Sequence, residues 1–286
     1  MGGASSVELA KAVCEAGGLG MIGASGMPVE MLGEQIDVLE ATGKPFGLNF
    51  LVPFIDPAAI DLAAERARVV EFFFGDPDSS LVERAKRHGA LVSWQVGSAQ
   101  EAHEAIAAGC DIVVAQGMEA GGHVRGTKTL SSLLEALTDL TTPIVAAGGI
   151  GSAADVAQAL NSPATAVRVG TRFVAAQESN AHPDYVGALI RSTKDDTVIT
   201  TEFDVGWADA PARVLKASLE AARAGDGNVG TVGEQRWPVP RFSTMPPTRD
   251  ARGNILAMPH YAGYSVDHVK KRQTAAEIVE ELCAEL

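Results

Sequence analysis

The residues best suited to chemistry lie in one short segment, 116–123, with the sequence Gln-Gly-Met-Glu-Ala-Gly-Gly-His. Gly121 and Gly122 carry no side chains, so a flat ligand can approach the main chain there. His123 follows directly, and an imidazole titrates near neutral pH. An apolar strand predicted over 111–116 precedes the segment, and rigid strands often carry functional groups on the loops that follow them. We therefore expect 116–123 to form one wall of a ligand pocket.

The elements that must position this segment alternate regularly between strand and helix. Strand patterns fall at seven places, namely 19–25, 46–52, 69–75, 91–96, 111–116, 143–149 and 164–169. The strands are almost continuously apolar, which is typical of a parallel sheet buried on both faces. This pattern favours an α/β fold of the TIM (β/α)8 barrel type, with a seven-stranded or open sheet as the alternative.

An eight-stranded barrel needs one more strand than the pattern supplies. We expect that first strand to lie upstream of Met1, with Gly2 and Gly3 as the end of its loop. A longer reading frame ending in an apolar strand would support this hypothesis, and a stop codon directly upstream would contradict it.

Bulk composition excludes several classes of function. The chain has 286 residues, a formal net charge of −13 and a sequence pI near 4.9, which disfavours binding to nucleic acid or to anionic membranes. No apolar run approaches the roughly 18 residues that span a bilayer. The three cysteines have no CxxC spacing and are expected to be buried thiols in a reducing cytoplasm. Neither HExxH spacing for a metal nor a GxSxG nucleophile elbow is present.

One glycine pattern is misleading. Residues 18–23 read Gly-Leu-Gly-Met-Ile-Gly, which matches the dinucleotide-binding fingerprint GxGxxG. That fingerprint requires a strand before it and a helix after it, whereas these glycines follow a predicted helix and lie within a strand. We expect no dinucleotide site there.

Two other loops carry features of a phosphate site. Ala147, Gly148 and Gly149 follow the strand at 143, and Gly170 and Thr171 follow the strand at 164. Phosphate groups in barrels often bind on the loops after the last two strands. Ordinary turn glycines and helix capping are the alternative for either loop alone, but both loops together favour a phosphate site.

Five segments, taken in order, carry a resemblance to a known family. They lie at 17–23, 46–50, 116–123, 146–150 and 169–173. Through them the chain resembles the FMN-binding nitronate monooxygenase family, formerly called 2-nitropropane dioxygenases, from residue 1 to about residue 190. FMN-dependent enoyl-ACP reductases share the fold and also carry Gly-Gly-His, so the resemblance is weaker for the substrate.

The resemblance implies a role for each matching residue. Asn49 and Gln116 would hydrogen-bond the isoalloxazine ring of FMN, and His123 would face the substrate. Gly121 and Gly122 would let the ring lie against the backbone, and Gly2 and Gly3 would lie near it. The phosphate of FMN would be held by the two loops already named, through Ala147, Gly148, Gly149, Gly170 and Thr171.

The chain departs from the family pattern directly after the histidine. Family members usually place a glycine very soon after it, whereas Val124 and Arg125 intervene here before Gly126. The resemblance leaves two positions for Arg125, either inside the pocket as a contact for an anion or pointing to solvent.

The C-terminal extension, residues 191–286, is expected to pack on a barrel spanning 1–190 without forming a separate catalytic domain. A helix is predicted over 210–224. The proline- and aromatic-rich stretch 237–264 is predicted to be an irregular strap, because proline lacks a backbone donor. The family suggests that this strap packs near the barrel mouth, where His260, Tyr261 and Tyr264 would either line a substrate pocket or serve in packing.

The activity that the resemblance implies is FMN-dependent oxidation of alkyl nitronates by O2 to a carbonyl compound and nitrite, with nitroalkanes as a further candidate substrate. His123 would be the base for a neutral nitroalkane, or would only orient an anionic nitronate. One alternative is an FMN-dependent, NAD(P)H-using reductase of enoyl thioesters. Alternatives from other classes are a flavin-free isomerase of phosphorylated ligands and a non-catalytic FMN carrier. The oligomeric state is open between a monomer and a homodimer.

Overall fold

The computed structural model describes residues 3–286 and contains a curled parallel sheet of seven strands. Its members are β1 (Gly20–Gly23), β2 (Phe46–Leu51), β3 (Val69–Phe73), β4 (Leu91–Val96), β5 (Ile112–Gln116), β7 (Ile144–Ala147) and β8 (Ala166–Arg168), while β6 (Gly122–His123) belongs to a second sheet. The strands pair in the order β1-β2-β3-β4-β5-β7-β8, so β1 and β8 form the two edges of the sheet. The predicted barrel-type α/β fold is confirmed. The strand expected upstream of Met1 stays a prediction.

Helices follow most strands of the sheet and cover its outer face. Several of them begin at a side-chain cap, as where the Ser152 hydroxyl accepts from the Asp155 amide. Their buried faces form one core with the apolar strands. The helices are α1 (Val7–Glu15), α2 (Val29–Glu40), α3 (Pro57–Arg66), α4 (Ser79–Lys86), α5 (Ala99–Ala107), α6 (Leu130–Glu135), α7 (Ala153–Leu160), α8 (Thr171–Val174), α9 (Pro183–Arg191), α10 (Lys216–Ala224) and α11 (Ala275–Leu282).

The central glycine of the GxGxxG-like pattern has a packing explanation. Gly20 lies in β1, where α1 crosses the strand closely. A Cβ atom on Gly20 would lie 2.0 Å from the Ala10 carbonyl oxygen and 2.7 Å from Cys14 Sγ. Only a glycine fits under the helix at this position, so contact between helix and strand accounts for it.

The C-terminal extension adds two small antiparallel sheets. In one, β10 (Ala212–Leu215) lies between β6 and β9 (Thr197–Thr200), and in the other, β11 (Asn228–Val232) lies between β12 (Trp237–Pro240) and β13 (Arg252–Gly253). The helix predicted over 210–224 is therefore wrong in its first part, because residues 212–215 form a buried strand and helix begins only at Lys216. The prolines of β12 are tolerated because this strand is at an edge of its sheet.

The extension packs on the barrel through β10 and through a second contact at Thr248. Ala212 pairs with His123, and Ala181 pairs with Thr248 in an isolated bridge. The division at residue 190 stays a prediction. Across residues 3–286, no helix combines the length and the apolar character that crossing a membrane requires.

Candidate active site

A large cavity opens at the carboxyl end of the parallel strands, and its volume is about 1060 Å³. Pockets for small molecules commonly measure about 300 to 1,000 Å³, so this cavity has room for a cofactor together with a substrate. Most of the residues singled out in the sequence line it, namely Gly3, Asn49, Gln116, Gly121, Gly122, His123, Ala147, Gly148, Gly149, Gly170, Thr171 and Tyr261. Gly2 lies outside the described residues.

One end of the cavity offers free backbone donors. Within residues 3–286, the amide N–H groups of Gly149, Gly170 and Thr171 have no hydrogen-bond acceptor. The Thr171 hydroxyl accepts from the Gly263 amide at 3.0 Å, which leaves its own hydrogen free to donate. Free backbone amides grouped at the wall of a cavity form a concave set of donors, which fits an anionic ligand.

The Gly-Gly-His loop, residues 117–123, is held in place from two sides. Gln116 uses its side-chain amide for this purpose, because Nε2 donates to the His123 carbonyl at 3.0 Å and Oε1 accepts from the Arg125 amide at 3.3 Å. From the other side, β10 pairs with β6 in antiparallel register, Ala212 with His123 and Arg213 with Gly122.

Arg213 adds a buried clamp on the same loop. Its Nε and Nη2 donate to the Met118 carbonyl at 3.1 and 2.8 Å, and its Nη1 donates to Thr197 Oγ1 at 3.1 Å. The guanidinium carbon lies 4.6 Å from the ring centroid of Tyr264. Among the described residues, no carboxylate lies within ion-pair distance of Arg213, so backbone and aromatic contacts stabilise its charge.

The two glycines of the loop differ in their surroundings. A Cβ atom on Gly121 would lie 2.3 Å from the Gly263 amide nitrogen, so close packing against the strap requires glycine there. Gly122 has a φ of +76° and a Cβ atom on it would meet nothing within 4 Å. Since Gly122 lines the cavity, a side chain on it would project into open space beside His123.

His123 is enclosed by three aromatic rings. The ring centroids of Trp207, Tyr261 and Phe74 lie 4.1, 5.6 and 5.7 Å from that of His123. Within the described part of the chain, its Nδ1 atom is buried and has no hydrogen-bond partner. Burial lowers the pKa of His123 from 6.5 to about 4, and the backbone at Ala210 partly opposes this shift. The imidazole is therefore neutral at pH 7 and has an unused ring nitrogen.

The floor of the cavity carries a polar network. The Arg168 Nη1 atom donates to Glu71, with which it forms an ion pair, and to Gln95 Oε1 at 3.1 Å. Asn49 Nδ2 donates to Glu71 Oε1 at 2.7 Å, and Ser93 Oγ donates to Glu71 Oε2 at 3.4 Å. Asn49 lines the cavity, and one of its two amide hydrogens is already donated to a carboxylate.

Arg125 takes neither of the two expected positions. It forms ion pairs with Glu101 at 2.7 Å and with Asp76, and it does not line the cavity. The residues between the histidine and Gly126 thus tie the loop to the start of α5. A Cβ atom on Gly126 would lie 2.2 Å from the Gly97 carbonyl oxygen, so this glycine is needed for the same contact.

The three strap residues have different surroundings. Tyr261 lines the cavity, and its hydroxyl donates to the Thr244 carbonyl at 2.7 Å. Burial raises the pKa of Tyr261, so its hydroxyl stays protonated at neutral pH. His260 is 1% exposed, lies outside the cavity lining, and has Nδ1 2.8 Å from the Met258 carbonyl. Tyr264 stacks on Arg213 and also lies outside the cavity lining.

The sequence as a whole matches the model of a protein family described as nitronate monooxygenase, over residues 1–65 and 57–285. The chain belongs to the nitronate monooxygenase family. The predicted resemblance is confirmed, and it extends beyond residue 190 through the C-terminal extension.

Individual relatives agree with this assignment. A probable nitronate monooxygenase of Staphylococcus aureus is 31% identical, with 71% of each chain covered. A solved structure of a nitroalkane oxidase from Streptomyces ansochromogenes is 29% identical and has a TM-score of 0.82, covering 100% of this chain and 93% of its own.

Another relative carries a different name. A (3aS,4S,5R,7aS)-5-hydroxy-7a-methyl-1-oxo-octahydro-1H-indene-4-carboxyl-CoA dehydrogenase of Mycobacterium tuberculosis is 33% identical over 77% of this chain. The match covers 62% of that relative, so the chain spans less than two thirds of its length. Family membership alone thus leaves the substrate open.

Several residues at the site of this nitronate monooxygenase family member were not predicted from the sequence. Phe74, Trp207, Glu71 and Arg213 lie outside the five segments, and Arg168 lies directly before the last of them. A charged residue in an apolar strand was the available signal for Glu71 and Arg168, because such a residue is rarely buried without a partner. No local signal marked Trp207, which reaches His123 only through the fold.

Proposed function

We propose that the protein is an FMN-dependent oxidoreductase that oxidises alkyl nitronates with O2 to a carbonyl compound and nitrite. The observation that carries the proposal is that two features line the same cavity. They are the free amide groups of Gly149, Gly170 and Thr171 and the neutral imidazole of His123. Membership of the nitronate monooxygenase family supports the oxidoreductase class.

The residues present fit FMN at three points. The free amides and the Thr171 hydroxyl would hold the phosphate. Asn49 and Gln116, each an amide with a second hydrogen left to donate, would face the ring. Gly122 leaves open space for a flat group beside the backbone. When bound, FMN supplies the two-electron redox chemistry and the reaction with O2, while the protein positions and polarises the reactants.

His123 would hold the substrate and, for a nitroalkane, take its proton. A neutral nitroalkane must lose the proton on the carbon that bears the nitro group, and a neutral imidazole can accept it. A nitronate has already lost that proton, so the imidazole then needs only to orient it through a hydrogen bond. The rings of Phe74, Trp207 and Tyr261 exclude water from this site, which strengthens electrostatic contacts inside it.

A reductase or dehydrogenase of thioester substrates is the second candidate. Two observations favour it, the size of the cavity and the relative named as a carboxyl-CoA dehydrogenase. A small nitronate would leave much of a cavity of about 1060 Å³ unused.

One experiment separates these functions. The FMN-loaded protein is mixed anaerobically with an alkyl nitronate, with NADPH, or with an enoyl thioester after NADPH, and the flavin absorbance is followed. The proposal requires that the nitronate bleach the flavin and that NADPH do so slowly or not at all. Rapid bleaching by NADPH, reversed by the thioester, would establish the second candidate. A colourless protein that takes up no added FMN would contradict both, and would favour a flavin-free enzyme of phosphorylated ligands.

A further inference from the structure

Arg168 places a positive charge at the floor of the cavity. Its guanidinium is held in position by hydrogen-bond acceptors on other strands of the sheet. The residue ends β8, while Glu71 lies in β3 and Gln95 in β4, so the contacts reach across the inside of the curled sheet. Both acceptors bind the same guanidinium nitrogen, Nη1. Glu71 is 2% exposed and also accepts hydrogen bonds from Asn49 and Ser93, so its position is fixed as well.

The other side of the guanidinium is open. Among residues 3–286, the Nε and Nη2 atoms of Arg168 have no acceptor. A quarter of the side chain is exposed, and the residue lines the cavity. The ion pair therefore presents its positive end to the ligand space and its negative end to the core.

Keeping this ion pair at the cavity floor costs free energy unless a ligand interacts with it. Taking an ion pair out of water often costs as much as the pair returns, so a buried pair is weak evidence for a role in stability. A ligand with negative charge at the cavity floor would give the free guanidinium N–H groups an acceptor, and the ion pair would then have a role in binding.

We propose that the open side of Arg168 recognises the negative charge that FMN gains on two-electron reduction, so that this residue sets the reduction potential of the bound cofactor. Glu71 orients the guanidinium and moderates its charge. The inference rests on the proposed binding of FMN. It assigns to Arg168 a role that the glycine loops and His123 do not fill, because a fixed charge near the ring changes the relative stability of its two redox states.

The test is a reductive titration of the FMN-loaded protein, in which dithionite supplies the electrons, the buffer supplies protons, and a reference dye reports the potential. In Arg168→Met, the reduced form should bind at least tenfold more weakly relative to the oxidised form. That ratio lowers the potential by about 30 mV for a two-electron couple. In Glu71→Gln, the guanidinium keeps its charge and loses its counter-charge, so the potential should rise.

A double variant and a control complete the design. Arg168→Met leaves Glu71 buried without its partner and can fail to fold, whereas Arg168→Met with Glu71→Gln removes both charges. The double variant should have a potential below that of Glu71→Gln and below that of the wild type. Arg249 also lines the cavity but is exposed, so Arg249→Met should leave the potential unchanged.

The order of the potentials decides the outcome. A purely structural ion pair would change the melting temperature and leave every FMN-loaded variant at one potential, which would overturn the role of Arg168. Shifts of the same sign in Glu71→Gln and in the double variant would overturn it as well. A wild-type protein that binds no FMN would contradict the proposed function itself, and this inference with it.

Discussion

Replacing Gly122 with alanine is expected to have two effects, strain in a left-handed backbone and loss of space for a ligand. The same replacement at Gly43 causes only the first effect, so a comparison of the two variants separates them. Gly122 has a φ of +76° and lines the cavity, and Gly43 has a φ of +64° in the turn between α2 and β2. An added Cβ atom would meet nothing within 4 Å at either position. The two substitutions therefore impose similar backbone strain, but only Gly122→Ala places a methyl group in the cavity.

The expected loss of stability is similar for both variants. A residue with a side chain needs about 1 to 2 kcal/mol to adopt the left-handed region. The lower entropy of the unfolded chain with alanine offsets about 0.4 to 1 kcal/mol of this. The net free energy of unfolding should fall by about 1 kcal/mol, and the melting temperature by about 2 °C for a chain of this size.

Binding of FMN should distinguish the two. We expect Gly122→Ala to bind FMN at least tenfold more weakly, which corresponds to about 1.4 kcal/mol, and Gly43→Ala to bind it as the wild type does. Equilibrium titration of the apoprotein with FMN, followed by quenching of flavin fluorescence, measures both constants, and denaturant unfolding measures stability. Equal FMN affinity in Gly122→Ala and in the wild type would refute the placement of a flat ligand beside this residue.

Three further substitutions, one of them with a matched control, test the site and its surroundings. His123→Asn should lower kcat/KM for a neutral nitroalkane by about 10² to 10⁴-fold while retaining FMN and turnover of nitronates, and unchanged nitroalkane turnover would exclude a base role. The wild-type profile for a nitroalkane should stay level as pH falls to about 6 and decline only toward the pKa of about 4, because burial keeps His123 neutral. Arg213→Met should lower the free energy of unfolding by about 2 to 4 kcal/mol, since the Met118 carbonyl loses two charged donors, whereas Arg223→Met breaks an exposed pair and should cost less than about 1 kcal/mol. Burial lowers the pKa of His260 to about 4, so its contribution to stability is complete above pH 6.5 and is lost as pH falls toward 4. In His260→Asn, the slope of unfolding free energy against pH in that interval should therefore be shallower by about 1.4 kcal/mol per pH unit, and an unchanged slope would show that His260 is not the titrating group.

The parallel sheet was predictable because its strands are continuous apolar runs separated by helical patterns. Periodicity and glycine loops locate β5, β7 and β8 and the loops that follow them, and the carboxyl ends of parallel strands meet at one edge of a sheet. Gln116, Gly149 and Thr171 could therefore be assigned to one pocket from sequence alone, and all three line the same cavity.

The partners of His123 could not be predicted in this way. Trp207 and Tyr261 reach it from the C-terminal extension, and Phe74 reaches it from the end of β3 with a left-handed φ of +62°. Sequence patterns report local periodicity, and no local pattern encodes a contact over such separations. The strand β10 was missed for a related reason. Its residues continue the helical pattern of α10, and only pairing with β6 and β9 makes them extended.

The pairing of β6 with β10 has a consequence for the order of folding. His123 forms its ladder contact with a residue 89 positions later in the chain, Ala212, while the strands of the parallel sheet pair mainly with their neighbours in sequence. Closing so long a loop is entropically unfavourable until the barrel already exists as a surface to dock on. The parallel sheet should thus form before the histidine is enclosed. In refolding experiments, the fluorescence of Trp94 in β4 would reach its native value before that of Trp207, and the protein would acquire a competent site only in the later phase.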